Sequence, residues 1–273
     1  MDTIDTGTDD LRAEIDDGVA TLTMNRPERR NALSPPMLDA MARVLAQVEV
    51  DNNVGCIVLT GAGGAFCAGG DVKGMAARSE GGGQPTSLDE SIHRQRLSQR
   101  ATAGKIWEMP KPVIAALPGP AAGAGLSLAM ACDLRYASER AVMTTAFAKV
   151  GFAGDYGGIW FLSRVVGQGK ARELYYFSDV INAQEALRLG LVNDVFADDV
   201  FADEVRARAR RLADGPRIAY RYMKENFNRS VHGDLYECLD MEAALHQRTG
   251  QTEDHREAAR AFTEKRAPVF HNR

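Results

Sequence analysis

The 273-residue chain has no excess of positive charge. Its 33 lysines and arginines stand against 37 aspartates and glutamates, a formal net charge of −4. No basic field is available to draw in a nucleic-acid backbone, so a nucleic-acid partner is not expected, although local basic clusters can still hold small anions. There is no run of about 18 apolar residues that would span a bilayer, so no membrane partner is expected. The N-terminal MDTIDTGTDD is acidic and polar. It has neither the apolar stretch of a signal peptide nor the arginine-rich character of a transit peptide, and the expected location is cytoplasmic. Cysteine is scarce: Cys56, Cys67, Cys132 and Cys238 form no CxxC pair. No Cys/His cluster has ligand spacing, so reduced thiols and no metal site are expected. No GK[ST] follows a glycine loop, which argues against a phosphate-binding P-loop.

What is present is an ordinary balance of 45% hydrophobic and 26% charged residues, enough for one large core and a smaller appendage. Leu11–Ile15 and Val19–Met24 flank Asp16-Asp17-Gly18 and predict a hairpin. Ser34 and Pro35 predict a helix start, with Met37, Leu38, Met41, Val44, Leu45 and Val48 as its apolar stripe. Residues 55–60 and 113–117 read as buried strands, 121–131 as a helix of small residues, and 133–137 and 192–196 as further strands. The glycine-rich stretch 79–87 reads as a flexible segment. Strands and helices alternate to about residue 197, and the remainder reads as helical. That pattern predicts an α/β fold with largely parallel strands: a core over 1–197 and a helical region over 198–273.

Two glycine-rich segments follow buried strands. Pro118–Ala131 runs through Gly119, Gly123 and Gly125 into a helix, and helix N-termini offer free N–H donors to a phosphate or an oxyanion. Tight helix packing would use the same residues. A dinucleotide fingerprint is disfavoured, because the spacing is not GxGxxG and Pro118 and Pro120 stiffen the turn. The second segment is Phe66–Asp71. Two such strand ends in one domain can present two backbone N–H groups to an enolate oxygen.

Four segments, in order, resemble the crotonase (enoyl-CoA hydratase/isomerase) superfamily: Asn25–Leu33, Ala65–Val72, Pro118–Asp133 and Ala261–Phe270. The resemblance implies a spiral of ββα units, a C-terminal helical oligomerisation region and a homotrimer, often paired into a hexamer. It implies an acyl-CoA thioester substrate with no resident cofactor. It aligns the amides of Gly70 and Ala124 with the two oxyanion donors, Ala68 with the adenine contact, and Arg29, Arg30 and Ala32 with CoA binding. Phe262 and Lys265 align with a tail, often a neighbour's, that closes over CoA. A solvated charged face is the alternative for Arg29, Arg30 and Lys265, and core packing for Phe262.

The family's hydratases use two glutamates, and here those positions hold Ser127 and Phe147. Asp155 instead aligns with the catalytic aspartate of the branch containing dienoyl-CoA and ring-1,2-epoxyphenylacetyl-CoA isomerases, with Gly154 where that branch commonly has proline. The resemblance therefore implies a double-bond isomerase with one aspartate base. Hydration or hydrolysis with Asp155 activating water is a second reading, and a non-catalytic CoA-ester or RNA binder a third. Asp155 has a plainer role open to it, as N-cap of a helix beginning near Tyr156. A cap would depress its pKa, whereas an apolar pocket would raise it.

Overall fold

The computed structural model describes residues 1–71, residue 74 and residues 87–273. The expected flexible segment at 79–87 lies, but for its last residue, outside the described residues. Among the described residues seven strands form one sheet, in the order β1 (Asp2–Ile4), β2 (Leu11–Asp16), β3 (Val19–Met24), β4 (Cys56–Gly61), β5 (Val113–Leu117), β7 (Leu134–Ser138) and β10 (Asp194–Phe196). The first three strands are antiparallel neighbours and the pairings from β3 onward are parallel. Asp17 and Gly18 both have positive φ, 49° and 78°, the two-residue turn that matches strand twist in a hairpin. A second sheet joins β6 (Ala121–Ala122), β8 (Val142–Thr144) and β9 (Ile181–Asn182).

Helix α1 (Pro35–Val50) starts where Ser34 Oγ accepts the Met37 N–H, with Pro35 in the first turn. Its buried face is Met37, Ala40, Met41, Val44, Leu45 and Val48. Leu38 lies at the edge of that face, only partly buried. Strand β5 is buried along its whole length, as a central parallel strand covered on both faces should be. One cover is helix α7 (Phe201–Ala213), whose Phe201, Val205, Ala209 and Ala213 pack with Val58, Ala116 and Tyr136. The first helix after the last strand is thus part of the sheet's own packing. No helix among the described residues is long and apolar enough to cross a membrane.

Helix α8 (Arg217–Ser230) is fastened through one buried ammonium. Lys224 is 7% exposed and donates to the carbonyls of Ile106 and Lys111 and to Asp133, the last at 2.8 Å. Asp133 also accepts the Val113 N–H at 2.7 Å, at the start of β5. Burial pushes the Asp133 carboxyl up, and Lys224 acts against that. Removing one partner of such a pair strands the other in a dry site. Lys224→Met should therefore cost about 3–5 kcal/mol, read as a lower urea midpoint, and adding Asp133→Asn should recover part of the loss. A Lys224→Met protein as stable as the wild type would show that this pair does not hold α8.

Candidate active site

The site begins where the ends of β4 and β5 run on side by side. Phe66 and Cys67 donate to the Pro120 carbonyl at 3.0 and 3.2 Å, and Ala122 donates back to Cys67 at 2.9 Å. A short parallel bridge pairs Cys67 with Ala121. Helix α4 (Ala124–Ala131) then starts against the same residue. A Cβ on Gly125 would lie 2.6 Å from Cys67 Cβ and 2.8 Å from its Sγ. Only a glycine lets the helix approach so closely.

A third segment closes on these two. Leu33 donates to Gly69 at 2.8 Å and Ala68 donates to Arg30 at 2.9 Å. Asn31 lies fully buried in the left-handed region, φ 57°, and its amide donates to Ala62 and Ala65 at 2.9 Å each. The Cys67 thiol donates to the Asn31 carbonyl at 3.1 Å. Arg26 reaches the Ala32 carbonyl at 2.7 Å and Asp71 at 3.3 Å. The Gly74 N–H and then Arg26 hold the Asp71 carboxyl below its usual range, against its partial desolvation.

This packing leaves two amides over. The Leu33 pairing uses the Gly69 carbonyl, not the Gly70 N–H, and Ala124 is the first residue of α4, where no intrahelical acceptor exists. Among the described residues neither the Gly70 nor the Ala124 N–H has an acceptor. They are neighbours, since a Cβ on Gly69 would lie 3.3 Å from Ala124 N. All eight residues of α4 are buried, so its N-terminal partial charge acts where little water screens it.

Arg29, Arg30, Ala32 and Ala68 are brought to the same edge. Arg29 and Arg30 are exposed on a single turn of 3-10 helix (Pro27–Arg29) and its left-handed cap, while Ala32 is buried. Phe262 and Lys265 are not brought there. They end helix α10 (Glu253–Glu264), and among the described residues no hydrogen bond or ion pair ties either to these loops. Phe262 is 86% exposed, so core packing does not account for it.

Asp155 sits in the turn before helix α5 (Gly158–Phe177). It is not a cap: the N-cap is Gly157, and no side chain bonds the first amides of the helix. Its Oδ1 is buried without a hydrogen-bond partner among the described residues, and burial alone pushes its carboxyl up to about 6. The apolar setting prevails because the cap is not made. Gly154 has φ 114°, a conformation closed to proline's fixed ring, which accounts for the departure from proline there. Tyr156 is left-handed, φ 48°, and its N–H is held by Gln99 Oε1 at 2.9 Å. Its hydroxyl lies 3.4 Å from Ser98 Oγ. Gln99 ends helix α2 (Leu88–Gln99).

The Asp155 charge reaches Cys67. Burial pushes that thiol up to about 12, and the nearby carboxylate adds to the effect. Tyr175 is likewise pushed up to about 12, chiefly by burial, with Asp155 contributing. Ser127 Oγ donates to the Gly123 carbonyl at 3.2 Å, and Phe147 stacks on Tyr175 with centroids 5.7 Å apart. These residues line a cavity of about 10 Å³, room for about one water.

Sequence reasoning did not single out Arg26, Asn31, Gln99, Tyr156 or Tyr175. Asn31 had a usable signal, because asparagine is one of the few residues that tolerates a left-handed position. The others act largely through contacts between segments distant in sequence, or through backbone shape, and carry no local pattern. Among the described residues no group of three His, Cys, Asp or Glu side chains is placed to hold a metal ion.

Two N–H donors and one desolvated carboxylate suit the removal of a proton beside a carbonyl whose oxygen gains charge. Residues 14–273 match the family model described as enoyl-CoA hydratase/isomerase. A Rhodobacter capsulatus protein named "Probable enoyl-CoA hydratase" is 38% identical over 96% of this chain and 98% of its own. The 1,2-epoxyphenylacetyl-CoA isomerase of Escherichia coli K12 is 36% identical over 95% of this chain and 97% of its own. An enoyl-CoA hydratase from Bacillus anthracis, solved at 1.8 Å resolution, superposes with a TM-score of 0.88 at 31% identity, covering 97% of this chain and all of the other. The chain belongs to the enoyl-CoA hydratase/isomerase, or crotonase, family of acyl-CoA enzymes.

Proposed function

We propose that this chain is an enoyl-CoA double-bond isomerase with Asp155 as its single base. The observation that carries the reading is the half-buried Asp155 carboxylate, raised to about 6 and with its buried Oδ1 unpartnered among the described residues, in a fold that also leaves two neighbouring amides unpaired. A thioester binds with its carbonyl oxygen between the N–H groups of Gly70 and Ala124, and its CoA moiety runs over Arg29, Arg30, Ala32 and Ala68. Asp155 takes a proton next to the conjugated system, the negative charge moves to the thioester oxygen, and the same carboxyl returns the proton at another carbon. The thioester and the backbone dipoles carry the charge, so the chemistry calls for no resident metal or redox cofactor. Syn hydration needs one group to activate water and another to deliver a proton. Ser127 and Phe147 supply neither, and the relatives carry both hydratase and isomerase names.

We propose further that the working particle is a homotrimer or a dimer of trimers. Phe262 is exposed, as are Met223 and Phe227 on α8 and Leu235 and Tyr236 on helix α9 (Leu235–Thr249). A neighbour's tail would then bring Phe262 and Lys265 over the CoA. Light scattering at micromolar concentration should give the mass of three or six chains, and a monomer would contradict this.

Asp155→Asn should lower turnover of enoyl-CoA esters by about 10²–10⁴-fold, with CoA-ester binding retained and the wild-type product identified by NMR as the shifted alkene. Full activity in the variant, or a hydroxyacyl product from the wild type, would overturn the reading.

The same group has a stability signature. A carboxyl raised on folding holds its proton in the native state between about pH 4 and 6, where the unfolded chain has released it. Stability therefore falls as pH rises through that window, and the loss persists above it. Asp155→Asn should be more stable than the wild type at pH 8, by about 1–3 kcal/mol, and nearly equal to it at pH 4. Because the base must be ionised, kcat/KM should rise with pH through about 6. A flat profile across pH 5–7 would speak against Asp155.

A further inference from the structure

The α5 segment breaks at Gly167, φ 78° and ψ 161°, so Tyr175, in its second half, is turned back and its side chain works at the first turn of α5 and the turn before it. A Cβ on Gly154 would lie 3.2 Å from Tyr175 Cε1. A Cβ on Gly158 would collide with both the Tyr175 hydroxyl and Ser127 Oγ. The ring therefore passes under the 154–158 turn, and the two glycines that frame Asp155 leave room for it. Its hydroxyl thus shares the space beside Gly158 with Ser127, a residue of α4, the helix whose first amide belongs to Ala124. Ser127 donates its own proton to Gly123, so its oxygen is free to accept from Tyr175.

The ring is also anchored from behind. Phe147 stacks on it with 9° between the planes. The Tyr175 carbonyl accepts from Ser178 Oγ at 3.1 Å, and Thr145 Oγ1 donates to the Leu174 carbonyl at 2.8 Å. A rigid aromatic thus spans from the carboxylate turn to the oxyanion helix.

We infer that Tyr175 is the positioning residue of this site, wedged beneath the Asp155 turn with its hydroxyl set against Ser127, so that it sets the separation between the base and the Ala124 amide. The inference rests on the reading of Asp155 as base. It gives Ser127 a task of its own, as the acceptor that fixes the wedge, in the position where the family's hydratases carry a glutamate.

Tyr175→Phe keeps the ring, its stacking and the turn's support, and removes only the hydroxyl set against Ser127. Ser127→Ala removes the same contact from the other side. Each should lower kcat by about 10–100-fold, the scale of an ångström-sized misplacement. KM should stay within about twofold, because ground-state binding of CoA is untouched. The double variant should be no slower than either single one, since both break one contact. Hydrogen exchange gives a readout that needs no turnover. The Gly158 N–H, which donates to Asp155 O at 3.0 Å, should exchange faster in Tyr175→Phe while amides of the central strands do not change. Wild-type kcat with wild-type exchange in Tyr175→Phe would overturn the inference, as would losses that multiply in the double variant. Wild-type protein without isomerase turnover would defeat the proposed function instead, and the exchange of the 154–158 turn would then judge Tyr175 alone.

Discussion

The close approach of Cys67 to Gly125 is the contact on which the site depends. Buried amides are almost always paired, and a fold can leave two of them free side by side only if their neighbours consume every other bond. Here the strand end at Cys67 is bonded on one flank to Pro120 and Ala122 and on the other to the Asn31 carbonyl through its thiol. The bare Cα of Gly125 lets α4 come down onto that strand end. Gly70 and Ala124 are what remains once these bonds are made. Arg26 and Asn31 serve the same end one layer out, by locking 25–33 onto 62–71.

The second constraint is electrostatic. Asp155 is half-buried and, among the described residues, has no cap role, no ion-pair partner and one buried unpartnered oxygen, which is costly in an interior. Structure around it is arranged to hold the turn rather than to relieve the charge: Gln99 takes the Tyr156 amide, and Tyr175 fills the space below. A left-handed tyrosine beside the carboxylate adds local backbone strain. Strain and desolvation at one turn fit a group kept reactive at the expense of stability.

Much of the frame was legible in the sequence. The strand at 113–117 falls where the apolar run ends at proline and glycine, and α1 begins at its serine cap and buries all but Leu38 of the expected stripe. The two-residue strands β6 and β9 were not legible, because periodicity needs more residues than they have. That Phe66–Asp71 and Pro118–Ala131 meet depends on a parallel register between segments about 50 residues apart, which no local pattern encodes. Whether Asp155 caps a helix turned on the left-handed backbone of Tyr156 and Gly157. Glycine at 157 hints at such a turn, but tyrosine gives no warning of it. Tyr175 is one of several aromatics on α5, and only the folded turn distinguishes it from its neighbours.

The central claim is that two backbone amides and one carboxylate converge on the same thioester. The direct measurement is a crystal structure of the Asp155→Asn protein with an enoyl-CoA bound. The account predicts the thioester oxygen at about 2.7–3.1 Å from both Gly70 N and Ala124 N, with residue 155 facing the carbon that loses its proton. A thioester oxygen bonded to neither amide, or a side chain at 155 turned away from the acyl group, would contradict it.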